Sequence, residues 1–292
     1  MRRVALLIVV LVGLGVGCSD PEESEPPASA AEDLRDSGGS RAEGTRERSV
    51  SGYSRECVPE TMAHRGYWER QTENTLGAFQ AAGDGGAQWF EADVRWSRTD
   101  SMVMMHDERL ERTTSGTGRV SRRSGPYIRR HRANDGQRVP WVTEALRLAR
   151  DSGLSVALHI KPRLNRQRAE QLIGAVYRLG MAERVMLLTS RPSTVALIEQ
   201  LAPGLATARL TSEPGWSALT GSDYLFPAPD WTNTETVAAA HANGVKVVSP
   251  AKPWAPRPEV WLRLSAAGAD IVISDDAPRQ AAFYEDLAAS CG

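Results

Sequence analysis

From residue 57 onward, short apolar runs alternate with longer stretches whose apolar positions recur every three or four residues. The runs fall at 61–63, 89–95, 156–160, 185–188, 206–210, 223–225, 245–248 and 270–273, and their length and composition predict strands. The stretches between them predict helices at 75–82, 142–151, 167–179, 192–201, 234–242, 258–267 and 278–288. Several of these open with Pro, which suits a first helical turn, and Asn74 is placed to cap the first. Eight strands with helical crossovers over about 235 residues predict an α/β fold of the (β/α)8 TIM-barrel type. The runner-up is an open doubly wound sheet. No G-x-G-x-x-G follows the first strand, which weakens the dinucleotide-binding version of that fold. Residues 111–138 are rich in Arg, Ser and Gly, fit no single crossover, and read as a long loop or small insertion after the second strand.

One strand breaks its own pattern. In QWFEADVRW, residues 88–96, Trp89, Phe90, Ala92, Val94 and Trp96 mark a strand bound for a core, yet Glu91 and Asp93 sit two apart within it. Residues two apart on a strand share a face. Two carboxylates on one face of an apolar strand repel each other and resist desolvation. A hard dication between them would remove both penalties, since such ions prefer oxygen ligands.

Composition then bounds the surroundings. A net charge of −1 gives no basic excess to argue for nucleic acid as a partner, and no protein partner is indicated. Residues 1–18 carry Arg2 and Arg3, an apolar run over 4–16 and then small residues, the layout of a secretory leader. The end of the run, LGVGC, is similar to a bacterial lipobox with Cys18 as the lipidated residue, although Gly15 stands where such boxes usually have Leu. The expectation is an extracytoplasmic protein held at the membrane by a lipid anchor, with plain secretion as the alternative. Residues 19–55 are dominated by Pro, Ser, Glu, Gly and Arg and predict a disordered linker, with a coil dimension on the order of 35 Å. The barrel domain is then 56–290. Cys57 and Cys291 stand at its two ends. In an oxidising compartment they could pair, worth up to roughly 5 kcal/mol in the chain-entropy model; the alternative is two unpaired thiols.

In a barrel, chemistry gathers at the C-terminal ends of the strands. His64 and Arg65 follow the first strand, Glu91, Asp93 and Arg95 share a face of the second, His106 follows soon after, and His159 and Lys161 share a face at the end of the third. The chain from His64 to Gly118 contains HRG, ENT, an E-x-D strand and HD-x-x-L-x-R-T-T-x-G in that order. With the weaker matches VPWVTEALRLA, LHIKP and ADIVISDDAP, it resembles the glycerophosphodiester phosphodiesterase family over essentially the whole domain. The resemblance implies a (β/α)8 barrel that hydrolyses a glycerophosphodiester to glycerol 3-phosphate and an alcohol with a divalent cation, commonly calcium or magnesium. It implies His64 and His106 as general acid and base, and Glu91 and Asp93 as metal ligands.

The chemistry agrees. A phosphodiester's transition state gathers charge on its non-bridging oxygens, which fixed cations stabilise; a metal, Arg65 and Lys161 are the candidates. Two imidazoles suit the two proton transfers. Glu73 of ENT either orients the site or caps the next helix. Where the family's third strand carries a liganding Glu, this chain has His159. A histidine there implies metal ligation with a tilt toward manganese or zinc, a weaker calcium or magnesium site, or a cleft that binds without turnover. The outcomes to separate are therefore a phosphodiesterase, a binding or sensing lipoprotein, and a phospholipase D-type lipid hydrolase, for which the scattered Trp216, Trp231 and Trp254 offer only a sparse apolar rim. The basic run RRSGPYIRRHR, residues 122–132, either guides anionic substrate or lipid headgroups or is a solvated loop. His131 and His241 carry no expected role.

Overall fold

The structure, a computed structural model, describes residues 58–69, 71–212, 221–251 and 257–289. Cys18, Cys57, Cys291, Trp216 and Trp254 lie outside the described residues. The strands are β1 (Glu60–Ala63), β2 (Trp89–Trp96), β3 (Met102–Met104), β4 (Ser155–Ile160), β5 (Val185–Thr189), β6 (Ala206–Leu210), β7 (Tyr224–Phe226), β8 (Lys246–Pro250) and β9 (Ile271–Ser274). All but β3 pair in parallel in the order β1-β2-β4-β5-β6-β7-β8-β9, and β9 returns to β1, with Ala63 opposite Ser274, closing an eight-stranded barrel. The helices that cover it include α1 (Leu76–Asp84), α2 (Gly125–Arg130), α3 (Val142–Asp151), α4 (Arg166–Arg178), α5 (Pro192–Leu201), α6 (Thr234–Ala242), α7 (Pro258–Ala266) and α8 (Ala277–Ala289).

Strand alternation sorts the side chains into two cores. On β2, Phe90, Ala92, Val94 and Trp96 face the helices and join one cluster with Phe79, Leu146, Leu172 and Ile198. Phe79 of α1 stacks on Phe90 with ring centroids 4.2 Å apart. Trp89 instead faces the barrel axis, where it meets Met62, Met186, Tyr224, Val248 and Ile273. Its indole N–H donates to Glu60 Oε2 at 2.7 Å, so the polar atom of the ring is not left bare inside the barrel. Glu91, Asp93 and Arg95 continue Trp89's face upward, and the register sets Asp93 beside His159 of β4.

Two expectations are corrected. The segment SMVMMHD contains a ninth strand, β3, antiparallel to β2 through Val94–Met104, Arg95–Val103 and Trp96–Met102. β1 ends at Ala63, opposite Phe90, so the same edge of β2 would be bare above that level. β3 supplies the missing partner and lets β2 overhang its neighbour. Of the long loop and the small insertion expected over 111–138, the structure has the insertion: it holds a 3-10 turn at Val120–Arg122, α2, and isolated antiparallel bridges. Asn74 does not cap α1. Thr75 does, its hydroxyl accepting from the Ala78 N–H, while Asn74 is in a left-handed conformation (φ 58°) and turns its amide into the barrel.

Candidate active site

Glu91 and Asp93 are buried, not solvent-facing: they retain 2% and 0% exposure. Asp93 is held from several sides. The Asn74 side chain donates to Asp93 Oδ2 at 2.8 Å and accepts from the Asp93 N–H at 2.8 Å. Lys161 Nζ lies 2.9 Å from Asp93 Oδ1 and Arg65 Nε 3.5 Å from Oδ2. The Arg65 backbone N–H donates to Glu91 Oε2 at 3.0 Å. That bond explains the local backbone. Arg65 and Gly66 are both left-handed (φ 60° and 78°), which turns the chain sharply off β1 and aims the Arg65 amide at β2. Gly66 is forced a second time, because a Cβ there would sit 2.7 Å from the Ala78 carbonyl carbon of α1.

Burial and charge push the two carboxylates apart in acidity. Burial, then the charge of Asp93, raises the pKa of Glu91 well above the carboxylate range. Burial opposes ionisation of Asp93 too, but the neighbouring cationic groups, Lys161 foremost and Arg65 among them, outweigh it and hold Asp93 below its ordinary value. His159 is driven down to about 4, chiefly by burial and then by Lys161, so its imidazole is neutral. Lys161 Nζ donates to its Nδ1 at 3.2 Å.

Oxygen atoms of Glu91 and Asp93 and a ring nitrogen of His159 lie within 4.8 Å of one another. Asp93 Oδ1 is buried without a well-aligned hydrogen bond despite the nearby ammonium. Two carboxylates that cannot both ionise unaided, a neutral imidazole and an under-satisfied oxygen are a donor set that fits a divalent cation. His159 thus stands with the two acids, as expected from its position on β4.

The other two histidines of the site share a design. His64 Nδ1 lies 2.6 Å from Asp275 Oδ1, and His106 Nδ1 lies 2.7 Å from Asp107 Oδ1. An ionised carboxylate only accepts, so each contact fixes a proton on Nδ1 and leaves Nε2 as the atom for proton exchange. Asp275 follows β9, the strand next to β1, which is why a residue 211 positions away can reach His64. His106 is further fixed by Arg95, whose Nε and Nη2 donate to its carbonyl at 2.9 and 2.8 Å. Burial lowers the His106 pKa, against the opposing pull of Asp93 and Asp107.

Glu73 faces the network and does not cap α1. Arg112 donates to both Glu73 oxygens at 2.7 and 2.8 Å and to both Asp107 oxygens at 2.6 and 3.1 Å, while Arg65 donates to Glu73 Oε1 at 3.1 Å. Burial would raise Glu73, but the Arg112 hydrogen bond and the charges of Arg65 and Arg112 hold it low. One continuous chain of contacts therefore joins His106, Asp107, Arg112, Glu73, Arg65 and Asp93. From the sequence Asn74 has only a capping role and Asp107, Arg112 and Asp275 have none, although each lies within a quoted motif: ENT, HD, L-x-R and the closing SDD.

Comparison with known proteins points to one family. The model of the glycerophosphoryl diester phosphodiesterase family matches residues 64–278. A protein of Caldanaerobacter subterraneus subsp. tengcongensis named glycerophosphodiester phosphodiesterase is 31% identical over 230 residues, 74% of this chain and 93% of that one. The crystal structure of a glycerophosphodiester phosphodiesterase from Agrobacterium tumefaciens superposes with a TM-score of 0.68 at 21% identity, covering 77% of this chain and 100% of that one. That of an Oleispira antarctica phosphodiesterase in complex with the product sn-glycerol-3-phosphate gives 0.68 at 23%, covering 78% and 97%. At such identities the two structures speak for the barrel, while the matched motifs and the curated relative speak for lineage: the chain belongs to the glycerophosphoryl diester phosphodiesterase family.

Proposed function

We propose that this enzyme uses a divalent cation to hydrolyse glycerophosphodiesters to glycerol 3-phosphate and an alcohol, outside the cytoplasmic membrane. The observation that carries the reading is the convergence of two carboxylate-backed histidines on a Glu91–Asp93–His159 cluster flanked by Arg65 and Lys161. Glu91, Asp93 and His159 would hold the cation, which when bound supplies positive charge where the phosphoryl oxygens gather negative charge. Calcium or magnesium suits the two acids, and His159 extends the range to manganese or zinc.

The chain's own groups do the rest. Arg65 and Lys161 bind and orient the anionic diester, each already aimed into the site by its contact with Asp93. His64 and His106 exchange protons through Nε2, one activating the nucleophile and the other protonating the leaving alkoxide, each typically worth about 10²–10⁴ in rate. Asp275 and Asp107 keep the Nδ1 protons in place. The product-bound Oleispira structure supports glycerol 3-phosphate as product. The leader over residues 1–18, with Cys18 at its end, supports an extracytoplasmic site of action and a lipid anchor.

The test is a metal panel. The full chain, stripped with chelator, is incubated with glycerophosphocholine and calcium, magnesium, manganese or zinc in turn, and free glycerol 3-phosphate is measured. Release with at least one metal, lost in His64→Ala at unchanged circular dichroism, is the expected result. Silence with all four sinks the activity, and full turnover in His64→Ala removes the acid–base assignment.

A further inference from the structure

The loops that follow β2, β3 and β4 on the catalytic rim have an unbalanced charge account. Asp100 is engaged by Arg168, Asp107 by Arg112, Glu108 by Arg119 and Glu111 by Arg109, while Asp135 accepts from the Thr72 and Gln137 N–H groups. With every carboxylate of these loops so occupied, seven arginines are left over: Arg123, which donates to the Thr117 carbonyl, and six that stand in solvent. Arg98, Arg122, Arg130, Arg132, Arg138 and Arg163 are all exposed, and none makes an ion pair among the described residues. Arg132 and Arg138 also face one another across an isolated antiparallel bridge. Like charges directly opposite on a ladder repel, and no carboxylate among the described residues relieves this pair.

The position of this surplus matters. The segment is pinned to the catalytic mouth: Asp135 ties it to Thr72, Gln137 donates to Thr75 and accepts from the Gly77 N–H, and the Arg123 carbonyl accepts from Arg98 at the tip of the β2–β3 turn. Two tryptophans on the same rim stand out into solvent: Trp68, after β1, is 39% exposed and Trp231, after β7, is 38% exposed. Guanidinium groups match phosphate geometry, and tryptophan prefers the boundary between water and hydrocarbon.

We propose that this rim docks on an anionic phospholipid bilayer, mouth toward the membrane. The surplus is spread over three loops, which fits a surface of many phosphates better than a single bound ion. The inference stands apart from the metal reading and from the lipid anchor, since it concerns only the orientation of the barrel. Cations near a charged leaflet act together and are screened within a Debye length, about 10 Å at 0.1 M salt and about 3 Å at 1 M.

The full chain is co-sedimented with phosphatidylcholine vesicles with and without phosphatidylglycerol, across a salt series. The expected result is binding at least about tenfold tighter with phosphatidylglycerol at low salt, an advantage that high salt abolishes. The variant carrying Arg122→Gln, Arg130→Gln, Arg132→Gln and Arg138→Gln loses most of that advantage while hydrolysing soluble glycerophosphocholine as the parent does. Equal binding to both vesicles overturns the proposal. So does an undiminished advantage in the variant, which would assign lipid selectivity to the leader, and so does capture of polynucleotide with no preference for phosphatidylglycerol.

Discussion

His159 shows how much one side chain decides at this site. It stands level with Asp93 on the neighbouring strand, is neutral, and contributes a nitrogen to a cluster otherwise made of oxygens. Replacing it with glutamate puts an oxygen donor in its place and adds negative charge beside Glu91. The expected outcome of His159→Glu is calcium or magnesium affinity raised by about tenfold, with turnover in those metals rising alongside. Isothermal titration gives the first and product release the second. A fall in both would mean that the imidazole is an adapted ligand and that the pocket is sized for it. The sequence showed which residue types meet here because strand alternation is a local rule. It did not show Asp275, because that partnership depends on which strand closes the barrel, nor Arg112, because a guanidinium in an exposed, charged loop looks like any other until the loop's path is known.

Among the elements, the turn off β1 is the most constrained. Arg65, Gly66 and Asn74 are all left-handed, and between them the chain returns from α1's backbone to the floor of the site. Gly66→Ala meets both an unfavourable φ and the Ala78 carbonyl, so it should cost more than about 2 kcal/mol in denaturant unfolding and reduce turnover beyond the loss of folded protein. An unchanged midpoint would show that α1 can shift away. The regular elements were far more legible. The helices at Val142–Asp151, Pro192–Leu201 and Thr234–Ala242 fall where the apolar spacing and N-terminal signals put them. β3 was missed because three residues carry too little pattern, and α2 because Gly125 and Pro126, both poor helix formers, make up a third of its six residues. Its start is set by the Ser124 hydroxyl, which accepts from the Tyr127 N–H.

At the scale of the whole molecule, the buried site ties stability to pH and to metal. The folded state raises the Glu91 pKa above its ordinary value, so protonated Glu91 contributes stability at low pH that is lost as pH rises through the folded pKa. His159 is depressed to about 4, so its contribution is complete above the ordinary imidazole pKa of about 6.5 and is lost as pH falls. The two slopes oppose one another in mildly acidic solution, and above about pH 6.5 only that of Glu91 remains. In chelator, the melting temperature should therefore fall as pH is raised from neutral toward 9. Saturating calcium or manganese should flatten the slope, because the cation takes the place of the Glu91 proton. The same slope with and without metal would assign it to another group.

The His64–Asp275 pair has a consequence for how the protein comes to life. It spans the seam where the first strand meets the last, so the His64 imidazole meets Asp275 only after β9 has joined β1. A nascent chain that ends before Asp275 carries most of the motif but lacks this contact. The seam contact is then a mark of the closed ring, absent from any chain in which the last strand has yet to join the first.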